Sequence, residues 1–138
     1  MQAVLAAFPD GLAPGDAAIT NDPYRGGTHV PDVTMVVPVH AGRALLGYAA
    51  TRAHHADMGG IAPGSMPAGA TEVHQEGLVI PPSLVHRRGR PQRDLLSLIE
   101  RNVRTPEERR LDLEAQRAAC ALGAARMAEA ARRWGRGP

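Results

Sequence analysis

A long helix needs an unbroken run of helix-forming residues, and this sequence offers one only in its last third. Thr105-Pro106-Glu107-Glu108 reads as the start of that helix. Thr105 takes the N-cap, Pro106 sits at the first helical position where a missing N–H costs nothing, and Glu108 completes a capping box. The following run is rich in Ala, Leu, Arg and Glu, all good helix formers, and Gly135 is the natural stop. One apolar stripe runs through Leu111, Ala115, Ala118, Leu122 and Ala125. A second runs through Leu113, Cys120, Ala124, Met127, Ala131 and Trp134. Two stripes predict packing on more than one side, one of them a surface this short chain cannot cover. A shorter helix is expected just ahead, capped by Asp94 and running through Asn102.

The rest of the chain is heavily punctuated. Fifteen glycines and twelve prolines in 138 residues exclude a plain helical bundle and call for long, shaped loops. Residues 2–8 read as a helix end, stopped by Pro9-Asp10-Gly11. Ala17-Ala18-Ile19-Thr20 is a short strand after a Pro14-Gly15-Asp16 turn. The β-branched run from Val33 to Val39 predicts another, with Pro38 placing it at an edge or beside a late bulge. Ala41-Gly42-Arg43 turns the chain, and Ala44 to Arg52 returns as the second arm of a hairpin. Residues 54–77 form an extended Gly- and Pro-rich loop, and Leu78-Val79-Ile80 is a further strand before Pro81-Pro82. The expected fold is α+β: short strands and a hairpin with long loops, then a C-terminal helical segment with one long helix. Residues 1–138 form a single partial domain, with a loop-rich β region at 1–92, a helical region at 93–134 and a basic tail at 135–138.

Charge and composition exclude several classes. All 16 basic residues are Arg. Residues 1–86 carry three Arg against seven acids, whereas residues 87–138 carry thirteen against seven. The basic half alternates in sign, and the chain has only four aromatics to stack on bases (Phe8, Tyr24, Tyr48, Trp134), so no nucleic-acid partner is expected. No apolar run approaches membrane-span length, and no secretory signal is present, so no membrane partner is expected either. A lone cysteine, Cys120, excludes an internal disulfide and a multi-cysteine zinc site. It lies mid-helix on an apolar stripe and reads as structural. The expected compartment is a reducing cytoplasm.

The chemistry concentrates in residues 20–77. His29-Val30-Pro31-Asp32 and His54-His55-Ala56-Asp57 share one spacing, His-x-x-Asp, with Asp22 before them and Glu72, His74 and Glu76 after. Imidazole plus carboxylate without thiolate suits Zn²⁺, Mn²⁺ or Fe²⁺. Spacing alone leaves a second reading open, in which surface histidines fall near acids and loop Asp residues make local turns. His40, His55 and His86 fall in that class. Arg25 is placed to hold a carboxylate, and Gly26-Gly27 to hold an anion through its backbone donors. No phosphate loop follows those glycines, and Ser65 lacks a nucleophile motif.

Several blocks together resemble the hydantoinase B/oxoprolinase family. They are Asn21-Asp22-Pro23-Tyr24, Gly26 through Asp32, Arg52 through Gly60, Pro63-Gly64-Ser65-Met66-Pro67, Gln75-Glu76-Gly77 and Asn102 through Arg109. They follow the family order with near-family spacing and extend over about residues 3–135. The resemblance implies part of the B-type subunit of an ATP-dependent cyclic-amide hydrolase acting on hydantoins, 5-oxoproline or lactams. Large subunits of acetone- and acetophenone-type carboxylases are relatives. It implies a divalent metal (Zn, Mn or Fe) in this chain and an ATP site on a partner, a hydantoinase A-type subunit. His54, Asp57 and His74 are then the expected metal ligands, Asp22, His29 and Asp32 the expected catalytic residues, and Arg25 and Arg52 the expected substrate-binding residues. Family members are several times longer, so a fragment of a larger fold is expected, with a further acidic ligand before residue 1. Two other readings are a non-catalytic truncated or assembly segment docking on a partner through its Ala-rich helix, and a self-contained metal-binding module.

Overall fold

The computed structural model describes residues 1–135. Five strands, β1 (Ala17–Thr20), β2 (Asp32–Ala41), β3 (Ala44–His54), β4 (Ser83–Arg87) and β5 (Arg90–Pro91), form one antiparallel sheet in the spatial order β3-β2-β1-β4-β5. Four helices accompany it: α1 (Gln2–Ala7), α2 (Val73–Glu76), α3 (Arg93–Asn102) and α4 (Pro106–Trp134). The fold is therefore α+β, as the sequence predicts. Of the expected basic tail, only Gly135 lies within the described residues.

Strand alternation divides the core in two. Val33, Met35 and Val37 of β2 join Ile19, Val85, Ile99, Leu113 and Cys120 under α4, which lies across β2 and β3. Val36, one position out of phase, joins Ala18, Leu84 and Tyr48 with Val4 and Phe8 on the α1 side. Successive side chains of a strand point to opposite faces, so a central strand with both faces covered reads as one continuous apolar run. That is the composition of β2. Pro38 is tolerated there because pairing with β1 spans only Thr34 to Val36, and a bulge follows between Val39 and His40.

Three local expectations change. Residues 78–80 form no strand. Part of their polar backbone is satisfied by the Asn21 side chain, which donates to Leu78 O at 2.9 Å and accepts from Ile80 N at 2.6 Å, and part by Met58 O and Asn21 N. Ladder pairing resumes instead at β4, whose turn to β5 is Arg88-Gly89, with both residues at positive φ. Asp94 lies within the first turn of α3, and the N-cap is Gln92. The α4 capping box does not form: the Thr105 hydroxyl accepts from Arg109 Nη1 at 3.1 Å, and Glu108 turns toward Arg109. Of the two α4 stripes, only that of Leu113, Cys120 and Ala124 packs on the sheet. Leu111 (57% exposed) and Leu122 (61%) remain bare. No helix among the described residues is long and apolar enough to cross a membrane.

Candidate metal centre

The hairpin register builds the site. Asp32 opens β2, His54 closes β3, and pairing sets them opposite each other. Because Val33 and Met35 face α4, Asp32 and Thr34 face the α1 side, with Arg52 and His54 across from them. A one-residue slip would turn every one of these side chains to the other face. His29 comes from the turn before β2, where Asp32 N–H donates to the His29 carbonyl at 3.0 Å.

Three side chains then converge. His29 Nδ1 lies 3.1 Å from Asp32 Oδ2, and His54 Nδ1 lies 3.3 Å from Asp32 Oδ1. The two imidazoles stack with centroids 5.2 Å apart. One ligand atom from each of His29, Asp32 and His54 falls within 4.8 Å of the others, the one such grouping among the described residues. Burial alone would raise the Asp32 carboxyl. The Thr28 hydroxyl, donating at 2.6 Å, and the two imidazoles outweigh that and hold it below the usual carboxylate range. Two imidazoles and one carboxylate with an open side fit a divalent cation such as Zn²⁺, Mn²⁺ or Fe²⁺, and three protein ligands leave room for a further one.

Asp57 does not join this cluster. Its carboxylate is 5% exposed and already saturated. It accepts from Gly59 N at 2.9 Å, Gly64 N at 3.1 Å, Arg104 N at 3.2 Å and Arg104 Nη1 at 2.8 Å. Burial would raise this carboxyl too, but those donors together lower it. Arg104 extends the clamp to the carbonyls of Gly59, Gly60 and Ala62, tying the loop after β3 to the start of α4. Arg109, 2% exposed, adds bonds to Asp57 O and Asp112. Gly60 is required here: it sits at φ +82°, and a Cβ would come within 2.5 Å of Gln75 O.

The other expected site residues are dispersed. His74 is exposed on α2 and outside the cluster. Asp22 caps a one-turn 3₁₀ segment by accepting from Tyr24 N at 2.9 Å, and Arg25 approaches it only to 3.7 Å. Arg52 stays on the site's face of the sheet, donating to Thr34 Oγ1 at 3.2 Å. His55 diverges from His54 and is buried beneath α4. Gln116 donates to Val33 O at 2.9 Å, so its Oε1 is left to accept from His55 Nε2 at 3.0 Å. Burial pushes the His55 pKa down, with the Gln116 bond opposing, and the ring is a neutral strut. Gln116 is absent from the sequence-based expectations, and Asn21, Arg104 and Arg109 appear there only within blocks of the family resemblance, with no role assigned. A signal for Arg109 and Gln116 was that they are polar residues in line with the buried α4 stripe.

A cleft of about 360 Å³ adjoins the cluster, lined by Tyr24, Thr28, His29, Glu72 and Glu76 among others. A separate cavity of about 440 Å³ lies on the α4 side, around His86, Arg110 and Arg117, and shares no residue with the cluster.

An α+β segment carrying an open histidine–carboxylate cluster at a hairpin end is the class this geometry defines. Residues 1–137 match the family Hydantoinase B/oxoprolinase, and the chain belongs to that family. It is 42% identical to an uncharacterized protein of Methanocaldococcus jannaschii over 120 residues, 87% of this chain and 21% of that protein. It is 33% identical to the caprolactamase subunit beta of Pseudomonas jessenii over 135 residues, 98% of this chain and 23% of that protein. The crystal structure of that organism's ATP-dependent caprolactamase superposes with a TM-score of 0.90 at 32% identity, over 98% of this chain and 23% of that one. The nucleotide-free structure of an acetone carboxylase superposes at 0.86 with 28% identity, over 95% of this chain and 17% of that one. The chain thus spans between 5% and 23% of the length of the curated relatives it matches, and about a fifth of these two.

Proposed function

We propose that this chain forms the metal-bearing part of a B-type subunit in an ATP-dependent cyclic-amide hydrolase, with His29, Asp32 and His54 as the ligands. The observation that carries the reading is their convergence within 4.8 Å, produced by strand register rather than sequence proximity. It revises the ligand set expected from sequence, in which Asp57 and His74 accompanied His54. A divalent cation held there supplies Lewis-acid polarisation of an oxygen and a more acidic bound water. The chain's own residues do the rest. Asp32 stays anionic at neutral pH, Thr28 orients it, and the hairpin fixes His54 against His29. Arg52, which donates to Thr34 Oγ1 on the same face, is proposed to meet an acidic substituent of the substrate.

An unstrained amide is a poor electrophile; phosphorylation of its oxygen makes the ring carbon electrophilic enough for water to add. The C–N bond then breaks with the nitrogen leaving as the amine, and hydrolysis of the resulting acyl phosphate releases phosphate. In the proposed division of labour an A-type partner subunit supplies ATP chemistry, and this chain supplies the metal and the water-facing cleft. Membership of the hydantoinase B/oxoprolinase family and likeness to a caprolactamase support hydrolysis of hydantoin, 5-oxoproline or lactam rings, and likeness to an acetone carboxylase supports a carboxylase-type reaction as the alternative. The bare α4 stripe of Leu111 and Leu122 favours packing of this segment against further polypeptide. ATP-dependent ring opening by the assembled subunits, lost on His54→Ala, tests the reading. ATP hydrolysis by this chain alone would contradict it.

A further inference from the structure

We propose that the Glu76 carboxylate is the acceptor for the ring N–H of a cyclic amide bound beside His29. This rests on the cyclic-amide reading above and deepens it. The 360 Å³ cleft has room for one small ring. Two carboxylates line it, and they differ. Glu72 is exposed at the N-cap of α2, where its backbone carbonyl accepts from Gln75 N at 3.1 Å and its N–H donates to Gln75 Oε1 at 3.3 Å. Glu76 is half-buried and makes no protein hydrogen bond or ion pair among the described residues.

Glu76 is also held in place. Gln75 O accepts from Ile61 N at 2.9 Å, and Leu78 N donates to Met58 O at 2.7 Å, so the C-terminal end of the short α2, where Glu76 sits, is fastened to the loop that Arg104 clamps. The packing there is close: a Cβ on Gly77 would come within 2.6 Å of Met58 O. With the backbone held this way, only the Glu76 side chain is left to order on binding, and its carboxylate oxygens are free to accept.

The chemistry of the ligand class matches this pair of groups. A ring holds its amide cis, so C=O and N–H lie side by side along one edge. The lining of the one cleft carries both His29, and hence the proposed cation site, and the Glu76 acceptor. A lactone or an N-methyl lactam lacks the N–H and leaves Glu76 desolvated and unpaired. Loss of a hydrogen bond to a charged group accounts for about a tenfold or larger preference against such analogues.

The experiment is a nuclear magnetic resonance titration of the full chain, with and without Mn²⁺ loading monitored separately, using 2-pyrrolidinone and N-methyl-2-pyrrolidinone as probes. The expected result is at least about tenfold tighter binding of 2-pyrrolidinone to the parent chain. Glu76→Ala should abolish that preference, whereas Glu76→Gln should keep part of it, because the amide oxygen still accepts. Mn²⁺ affinity should be unchanged in both variants. An undiminished preference in Glu76→Ala, or a loss of Mn²⁺ affinity in that variant, overturns the proposal while leaving the cyclic-amide reading standing. A Mn²⁺-binding parent chain that takes up neither probe overturns both.

Discussion

The same spacing, His-x-x-Asp, occurs twice in this chain and builds two unlike things. In His29 to Asp32 the carboxylate sits at the start of a strand with imidazoles on both sides and solvent beyond. In His54 to Asp57 the strand ends at His54, and the carboxylate is carried into a loop where backbone and Arg104 donors saturate it. What separates them is the source of the hydrogen-bond donors. A carboxylate with every lone pair used by the protein is a structural anchor, and one shared between imidazoles at an open edge is a ligand in waiting.

The sharpest way to break this contrast is to remove the buried anchor. Asp57→Asn should cost about 3 kcal/mol of stability in urea unfolding, because it leaves backbone donors and part of Arg104 without their charged acceptor. The folded fraction should still bind metal as the parent does. The same carboxyl predicts an acid limb. Folding lowers its pKa below the unfolded value of 3.8, so its contribution is full above that value and lost as pH falls through the folded one. Acid unfolding monitored by circular dichroism should be shallower in Asp57→Asn than in the parent chain.

A backbone test of the same loop comes next. Gly60→Ala should destabilise by about 2 kcal/mol, since it combines a positive φ with a Cβ directed at Gln75 O. Thermal unfolding reads it directly. On the other side of the comparison, Asp32→Ala should reduce metal affinity at least about tenfold while changing stability by only about 0.5 kcal/mol, because the cluster faces solvent. The smallest effect belongs to Thr28→Val. It removes a single hydroxyl bond to Asp32 and should weaken metal binding about two- to fivefold, as read by competition with a chromogenic chelator.

The elements legible in the sequence were those whose signals are local. The β2–β3 hairpin follows from a β-branched run, a Gly42 turn and a return strand, and α4 from its helix-forming composition and Pro106. His29, Asp32 and His54 were visible as chemistry. Their grouping was not, because it depends on Asp32 standing opposite His54 in the ladder and on Arg104 binding Asp57 across 47 residues of sequence. Spacing along the chain cannot report who supplies the donors. The strand expected at 78–80 failed for a related reason: the Asn21 side chain takes Leu78 O and Ile80 N, and Met58 O and Asn21 N take Leu78 N and Ile80 O, so no strand ladder is needed there. On α4, Arg109 and Gln116 interrupt the apolar pattern of the buried stripe, yet they are the residues that fasten the helix to the loop and to β2.

The most direct test of the central claim is a Mn²⁺ and Zn²⁺ titration of three full chains side by side: the parent, Asp32→Ala and Asp57→Asn. The account predicts one bound ion per folded chain in the parent and in Asp57→Asn, and at least about tenfold weaker binding in Asp32→Ala. Binding lost in Asp57→Asn but kept in Asp32→Ala, or no ion bound by a folded parent chain, would contradict it.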